Sequence, residues 1–519
     1  VDLTGRTRIV RNVLFSWGGF VATAIVAFIH PRVMDRALGQ EAVGIWDFGW
    51  SLVAYFALAQ FGVGSAITRY VALHRANGDV EGLRRVVASV SCINWLAATI
   101  ALVATSILTW LAPRMLSAGA ASHGSEARFV VALVGLTVAS EIGFAVFPGI
   151  IGGCHRFDLN NSITAGFEIV TWTTAIVALL LGGGLVVVAS ICLTFELLME
   201  SARIRAAYRV CPEMSIRPRY ADLGEAKRLL AFGVKSQVAA LSGLMVIQAN
   251  KLFLASSMGA GALAVFSRPL TLLRAVDTFS SRLGSILAPA ASSLQARAQH
   301  ADIQRLVEQS TRAGLALALP MVLTVAVMGD PIMTLWMGPD YRPGVMGVVL
   351  AAGLFLSLAL RPVQMVLLGL NLHGRLAIAQ LLGAGSSFAL GWLNAHVLGW
   401  GMTGAALAIA LPTFLAGGVY VIAYASRSVG LRLGPYLKQA FLPPLACVAP
   451  LAAILVASRL ALSAQPALAL FGSLAAGGIV TGPLYWRYLL NDELRDKARG
   501  LAARGLRRLR LAPRRRAGA

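Results

Sequence analysis

Charge is scarce in this chain. Only 13% of its 519 residues are Asp, Glu, Lys or Arg, while 57% are hydrophobic. A soluble globular domain carries about 25% charged residues. No polar stretch here is long enough to make one, which excludes a globular enzyme domain within this sequence. Cysteine is scarce too, with five in all. No Cys-x-x-Cys pair and no His/Cys spacing suggests a metal site. A GxxxxGK[ST] loop is also missing, and with it the usual means of holding a nucleotide triphosphate for hydrolysis.

In place of these the chain has long apolar runs. About fourteen segments of roughly twenty residues recur, near 13–31, 44–66, 87–112, 128–151, 163–181, 184–201, 232–256, 262–281, 313–332, 346–368, 376–396, 403–425, 441–458 and 467–486. A backbone crossing lipid must satisfy its polar groups internally, so segments of this length are helices. The fold class is therefore all-α, a polytopic membrane protein. The first run follows Arg6, Arg8 and Arg11 as a signal peptide would. It lacks a small-residue cleavage site and reads as a retained helix.

The net charge of +22 would suggest nucleic acid as a partner in a soluble protein, but its distribution says otherwise. About 34 of the 45 basic residues fall in the two tails and every second connection, and about six in the others. Arg69, Arg75, Arg84 and Arg85 mark one such connection, and Arg203, Arg205, Arg209, Arg217, Arg219, Lys227 and Arg228 the longest. Basic loops stay inside, so both termini are expected in the cytoplasm and nucleic acid is not expected as a partner. Cys154 and Cys211 then lie in inner connections, and Cys92, Cys192 and Cys447 within segments. No outer disulfide framework is available. Outer connections are short, and the longest runs from Ala112 to Ala127.

A repeat appears at a separation of roughly 220 residues. Leu38-Gly39-Gln40-Glu41-Ala42-Val43-Gly44 is echoed by Met258-Gly259-Ala260-Gly261-Ala262-Leu263-Ala264. Arg75-Ala76-Asn77-Gly78-Asp79 is echoed by Arg297-Ala298-Gln299-His300-Ala301-Asp302, and Leu181-Gly182-Gly183-Gly184 by Leu398-Gly399-Trp400-Gly401. Six segments separate equivalent points, so the halves run in the same direction about an axis along the membrane normal. The expected organisation is an N-terminal lobe over 1–203, a cytoplasmic linker over 204–231, a C-terminal lobe over 232–425, two further helices over 426–487 and a basic tail over 488–519. The lobes would hold six helices each. The tail places Leu494, Ala498, Leu501, Gly505 and Leu509 on one stripe, as an amphipathic helix on an anionic leaflet would. Prolines fall within segments at Pro148, Pro269, Pro320, Pro362, Pro412 and Pro450. For any one of them the simplest reading is a kink tolerated by its neighbours.

Charge inside a membrane is costly, and such residues are functional candidates. The basic ones are Lys235, Lys251, Arg268, Arg274 and Arg361; the acidic ones are Asp47, Glu141, Glu168, Glu196 and Asp277. Lys235 and Arg361 lie near segment ends, where long side chains reach the interface. Arg274 and Asp277 share a helix face and are expected to pair. Arg268 corresponds to Phe48 at the repeat offset, so Asp47 and Arg268 are expected to approach across the axis. Gln248 and Asn250 accompany Lys251 in a polar patch. A lining of this kind suits an anionic diphosphate. Asp47 sits in Trp46-Asp47-Phe48-Gly49-Trp50, whose aromatics also fit an interfacial belt. No catalytic residue, metal ligand or cofactor site is expected.

Several stretches carry a family resemblance. Arg11-Asn12-Val13-Leu14, the turn Leu38-Gly39 with Gly44, and Gly62-Val63-Gly64-Ser65-Ala66-Ile67-Thr68-Arg69-Tyr70 resemble the N-terminal half of polysaccharide transporters of the MOP exporter superfamily, the Wzx-like oligosaccharide flippases. Cys154-His155-Arg156-Phe157-Asp158-Leu159-Asn160-Asn161 resembles the loop between helices 4 and 5, Leu229-Leu230-Ala231-Phe232-Gly233 the entry to helix 7, and Leu335-Trp336-Met337-Gly338-Pro339-Asp340-Tyr341 the outer loop after helix 9. The resemblance implies two six-helix lobes with alternating access in the bacterial inner membrane. It also implies a polyprenyl-diphosphate-linked oligosaccharide as substrate, with Lys251, Arg268 and Arg274 as diphosphate contacts beside Gln248 and Asn250. Asp47 and Asp277 are the ion-coupling candidates. Membrane lipids, a polymerase and glycosyltransferases would be the partners, and surface polysaccharide the product. Two other readings compete: a multidrug and toxin extruder, which would favour acidic residues in its lumen, and a membrane glycosyltransferase or ligase, for which Asp35 and Glu41 are the obvious outer acids.

Overall fold

The structure is a computed structural model that describes residues 25–26, 28–60, 63–116, 124–285, 287–489 and 495. The start of the first apolar run, the Arg11–Leu14 stretch, Gly62, the side chain of Lys235 and the amphipathic tail stripe lie outside the described residues. Among those described, every regular element is helical. In chain order they are α1 (28–38), α2 (Gln40–Val53), α3 (Val63–Ala76), α4 (Val80–Met115), α5 (Gly124–Phe144), α6 (Val146–Gly153), α7 (Phe157–Leu180) and α8 (Leu185–Val210). Then follow α9 (Leu223–Leu244), α10 (Asn250–Met258), α11 (Ala260–Ser285), α12 (Leu287–Ala296), α13 (His300–Trp336), α14 (Gly344–Ala359) and α15 (Arg361–Gly369). The last six are α16 (His373–Leu393), α17 (Gly401–Thr413), α18 (Tyr420–Ser428), α19 (Leu433–Ala440), α20 (Leu442–Ala461) and α21 (Pro466–Tyr488).

Ten stretches among the described residues are long and apolar enough to cross a membrane, beginning with Val80–Met115 and ending with Pro466–Tyr488. They match segments 3–6 and 9–14 of the sequence. Segments 2, 7 and 8 are not among them; segment 2 includes positions, and segment 7 side chains, outside the described residues. A 3₁₀ stretch at Ala54–Gln60 follows α2, and a π-helical turn at Met245–Ala249 joins α9 to α10. Segment 8, α11, carries Arg268, Arg274 and Asp277. Irregular or charged backbone at membrane depth persists only where protein covers it.

The repeat has a backbone counterpart. Gly39 (φ 85, ψ 171) and Gly259 (φ 89, ψ 177) adopt the same conformation before α2 and α11, one that only glycine takes without strain. Left-handed residues recur in pairs at Gly78 and Ala298, His155 and Asn371, and Gly182 and Gly399. A helix break precedes Pro148 at Ala145 and Pro362 at Leu360, where each ring removes a backbone donor.

The chain forms two compact units. One runs through Leu270 and adds Trp336–Met346 and Ala377–Thr413; the other comprises Thr271–Leu335, Gly347–Leu376 and the chain from Phe414. In the first unit, Ile67, Val71, Leu83, Val87, Phe147, Ile150 and Ala207 form a buried cluster among α3, α4, α6 and α8. Asp79 caps α4 by accepting from the Gly82 N–H at 2.8 Å, and Asp222 caps α9 from the Glu225 N–H at 2.7 Å. Ser89 ties these regions together, accepting from the Asp222 N–H at 2.9 Å. In the second unit the cluster gathers Val307, Leu360, Val363, Leu367, Val421 and Tyr436. Burying side chains of this kind is worth about 1.5–3 kcal/mol each relative to exposure in water, and less where the alternative is lipid.

Candidate functional site

The first unit brings α2 against α11 because both start on small residues. A Cβ on Gly44 would overlap the Ala260 backbone, so glycine there permits direct helix contact. Gln40 donates to the Gly261 carbonyl at 3.2 Å. About one turn deeper, this approach sets Asp47 opposite Arg268, and the two form an ion pair. The contact anticipated from the repeat offset is therefore present. Arg268 is 6% exposed and Asp47 14%. His30, buried on α1, stands beside the pair and packs its ring on Trp172 at 4.4 Å and Trp46 at 6.0 Å between centroids. Trp46 is thus a buried wall of the ion pair and not a member of an interfacial belt, because α7 supplies a ring partner that the local sequence does not reveal. In such low-dielectric surroundings a charge pair interacts strongly, and either charge alone is costly.

Lys251, Asn250 and Gln248 lie at the junction of the π-helical turn and α10, and all three are buried. The Asn250 amide donates to the Val246 carbonyl at 2.8 Å and to Ser387 Oγ on α16 at 2.9 Å. It therefore anchors α10 to α16. Gln248 Oε1 is buried with no donor. Phe253 adds an edge-on contact with Phe388 on α16, centroids 5.0 Å apart.

The second unit corrects one expected pairing. Asp277 is held by Arg361, through Nε at 2.6 Å and Nη2 at 3.3 Å, and Arg361 also reaches Gln364 at 3.3 Å. Arg274, three residues away on α11, is exposed. The fork of a guanidinium 84 residues distant offers two parallel bonds, which a neighbour on the same helix does not match. Arg361 is consequently an ion-pair partner and not a side chain reaching for the interface.

The stretch Trp336–Tyr341 acts as a clasp on α1. Trp336 Nε1 donates to the Phe28 carbonyl at 2.6 Å, and the two rings stack at 4.2 Å. Tyr341 donates its hydroxyl to Asp35 Oδ1 at 2.7 Å, while Arg32 approaches the other oxygen at 3.5 Å. Burial and Asp35 push the phenol above its usual range, so it remains the donor. Asp35 is engaged structurally.

Sequence reasoning missed a second charged centre. Arg203 is not a loop cation: α8 continues to Val210, and Arg203 is buried in an ion pair with Glu200. The spacing Glu196, Glu200, Arg203 along one helix face was the signal that could have found it. At the end of α6, the Cys211 thiol and Arg75 pull the Cys154 thiol down to about 7, and Arg75 is itself paired with Glu213 at 3.0 Å.

Residues 9–295 match the family model described as "Polysaccharide biosynthesis protein". The chain belongs to that family. A Shigella flexneri protein named "Putative O-antigen transporter" is 20% identical over 370 residues, spanning 68% of this chain and 83% of its own. Among solved structures, the lipid II flippase MurJ in an inward closed conformation superposes with a TM-score of 0.70 at 13% identity, over 92% of this chain and 100% of its own. An inward-facing multidrug resistance MATE family transporter of the MOP superfamily gives 0.66 at 13%, over 79% and 94%. The fold is that of the MOP superfamily transporters, and this family member is a multi-pass membrane protein.

Proposed function

We propose that the chain is a flippase that carries a polyprenyl-diphosphate-linked oligosaccharide from the inner to the outer leaflet of the bacterial cytoplasmic membrane by alternating access, for surface polysaccharide assembly. The observation that supports this most is the pair of buried cations, Lys251 and Arg268, on segments 7 and 8, in a chain of the polysaccharide biosynthesis family. A diphosphate carries more charge and more acceptor oxygens than one carboxylate, so it can compete with Asp47 for Arg268. Exchange of partners at Arg268 would couple head-group binding to loosening of α2 from α11. A cation exporter would need the opposite polarity on these segments. Without a P-loop the bias comes from an ion gradient or the membrane potential. Glycosyltransferases supply the substrate and a polymerase consumes it. Both termini face the cytoplasm, following the basic connections.

The test is complementation of a flippase-deficient strain, scored by surface polysaccharide and by membrane abundance. Lys251→Ala and Arg268→Ala should abolish export while the protein still inserts, and Gln at either position should rescue little. Arg274→Ala is also readable, because Asp277 keeps Arg361. The exposed Arg36→Ala is the silent control. Normal export from the Lys251 and Arg268 variants would remove the case for an anionic head group.

A further inference from the structure

The glutamates within α5, α7 and α8 play no part in the reading above. Glu141 on α5, Glu168 on α7, and Glu196 and Glu200 on α8 form one electrostatic neighbourhood, with Arg203 as its cation. Cys192, one turn earlier on α8, also faces Glu196. The short α6, which packs on α8 as well, brings no ionisable side chain. Four carboxyls thus stand against one guanidinium inside a membrane-spanning bundle, where each uncompensated charge costs a few kcal/mol on insertion scales.

Hydrogen bonding shows where the imbalance is concentrated. Glu200 is 1% exposed and gives one oxygen to Arg203, whose other amino group donates to Thr164 Oγ1 on α7 at 2.9 Å. The second oxygen, Glu200 Oε2, is buried with no donor, and so is Glu196 Oε1. Glu196 and Glu200 are four residues apart on α8, so the two carboxyls are neighbours on one helix face. Two ionised carboxylates in that position repel and leave both oxygens unsatisfied, because each can only accept. One proton changes this: it makes one carboxyl a donor to the other and removes one negative charge. A metal ion is a poorer fit, since no group of three or more metal-ligating side chains converges among the described residues.

We propose that Glu196 and Glu200 share one proton at neutral pH, and that this is the proton exchanged in the transport cycle. The second half of the statement rests on the flippase reading. In uptake, a proton from water adds to the carboxylate pair, forming one O–H bond and one hydrogen bond between the two side chains. In release it returns to water, two carboxylates remain, and Arg203 alone offsets them. No other bond changes. The relevant variant is Glu196→Gln, whose amide donates to Glu200 as the shared proton does and leaves the Glu200–Arg203 pair in place. Glu200→Gln would strand a buried guanidinium and is the less readable change.

The first experiment needs no substrate. Infrared difference spectra of the full chain in lipid nanodiscs, titrated from neutral to alkaline pH, should show a protonated-carboxyl band that vanishes on titration. The band should be absent in Glu196→Gln and retained in the exposed control Asp158→Asn. A wild type without the band, or a Glu196→Gln protein that keeps it, overturns the shared proton. The second experiment scores export in cells whose transmembrane pH difference is collapsed by an electroneutral proton exchanger. Wild-type export should fall at least tenfold, and residual export by Glu196→Gln should no longer respond. A band with export that ignores the pH difference, or that follows a sodium gradient, overturns the exchange but not the flippase. A wild type that exports no lipid-linked saccharide at all overturns the flippase reading, and with it the exchange, while the band stands on its own.

Discussion

Neutralising Asp47 alone should damage the protein more than neutralising Asp47 and Arg268 together. Asp47→Asn leaves the Arg268 guanidinium, 6% exposed, without its carboxylate and beside the Trp46, Trp172 and His30 rings. Removing one partner of a buried pair costs about 3–5 kcal/mol, mostly as the penalty on the charge left behind. Arg268→Gln strands the carboxylate with a similar loss. Asp47→Asn/Arg268→Gln leaves two neutral amides of comparable shape that can bond to each other. The double variant should therefore recover about 2–3 kcal/mol relative to the sum of the singles, a factor of roughly 30–150 in the equilibrium. The measurement is a double-mutant cycle in denaturant, on protein purified in one detergent and followed by tryptophan fluorescence, to which Trp46 and Trp172 contribute. Singles that add to the double within about 0.5 kcal/mol would refute the reasoning.

The same four proteins separate a bracket from a binding site. If the pair only holds α2 to α11, the double variant regains stability and export together. If Arg268 also takes the diphosphate, stability returns and export does not, and this second pattern is the one expected. Recovery of both would leave Arg268 a structural residue.

Three further outcomes follow from the packing. Gly44→Leu should lower stability by about 2 kcal/mol or more through overpacking against the Ala260 backbone, with loss of export, whereas Gly261→Ala, which faces open space, should be nearly silent. Tyr341→Phe removes a hydrogen bond to a carboxylate worth about 1.5–3 kcal/mol, so amide exchange across 336–341 should speed up roughly tenfold or more; unchanged exchange would mean that stacking alone holds the clasp. Cys154, drawn down to about 7, should be labelled by a permeant maleimide with a rate that rises through neutral pH, because the thiolate is the reactive form. Cys211, pushed up, should lag, and an impermeant reagent on intact cells should label neither; strong labelling would reverse the inside–outside assignment.

Most of the helical framework was legible because lipid imposes a simple rule on composition, and ten of the expected segments meet it. The Asp47–Arg268 contact was legible for a different reason: a repeat fixes which distant positions face each other. Where no such rule links two positions, the sequence could not rank partners. Arg361 lies 84 residues from Asp277, so the local Arg274 looked like the natural choice. Arg203 was hidden by position, since a cation just past an apolar run counts as a loop charge until α8 is seen to continue through it. Trp46 looked interfacial because its ring partner, Trp172, sits on another helix. For Asp277 and Trp46 the missing information was a tertiary neighbour, and for Arg203 it was the length of its own helix.

The placement of polar chemistry follows from the duplication. Segments 2 and 8 are equivalent at the repeat offset, and they carry the two members of the Asp47–Arg268 ion pair. A duplicated bundle meets itself at its axis, where protein covers both sides and a charge can be offset by the opposite half. Yet the two copies differ in their balance of charge. The first half sets Asp47 and the carboxyls around Glu196 against Arg203, and the second sets Lys251, Arg268, Arg274 and Arg361 against Asp277. On the readings proposed above, the first half handles a proton and the second an anion, and the Asp47–Arg268 pair is where the two specialisations touch. Exchanging the charges, as Asp47→Arg/Arg268→Asp, would preserve the attraction but move the cation to the acidic half. That variant should remain folded and fail to export. Normal export from it would mean that only the bond, and not the side it is drawn from, matters.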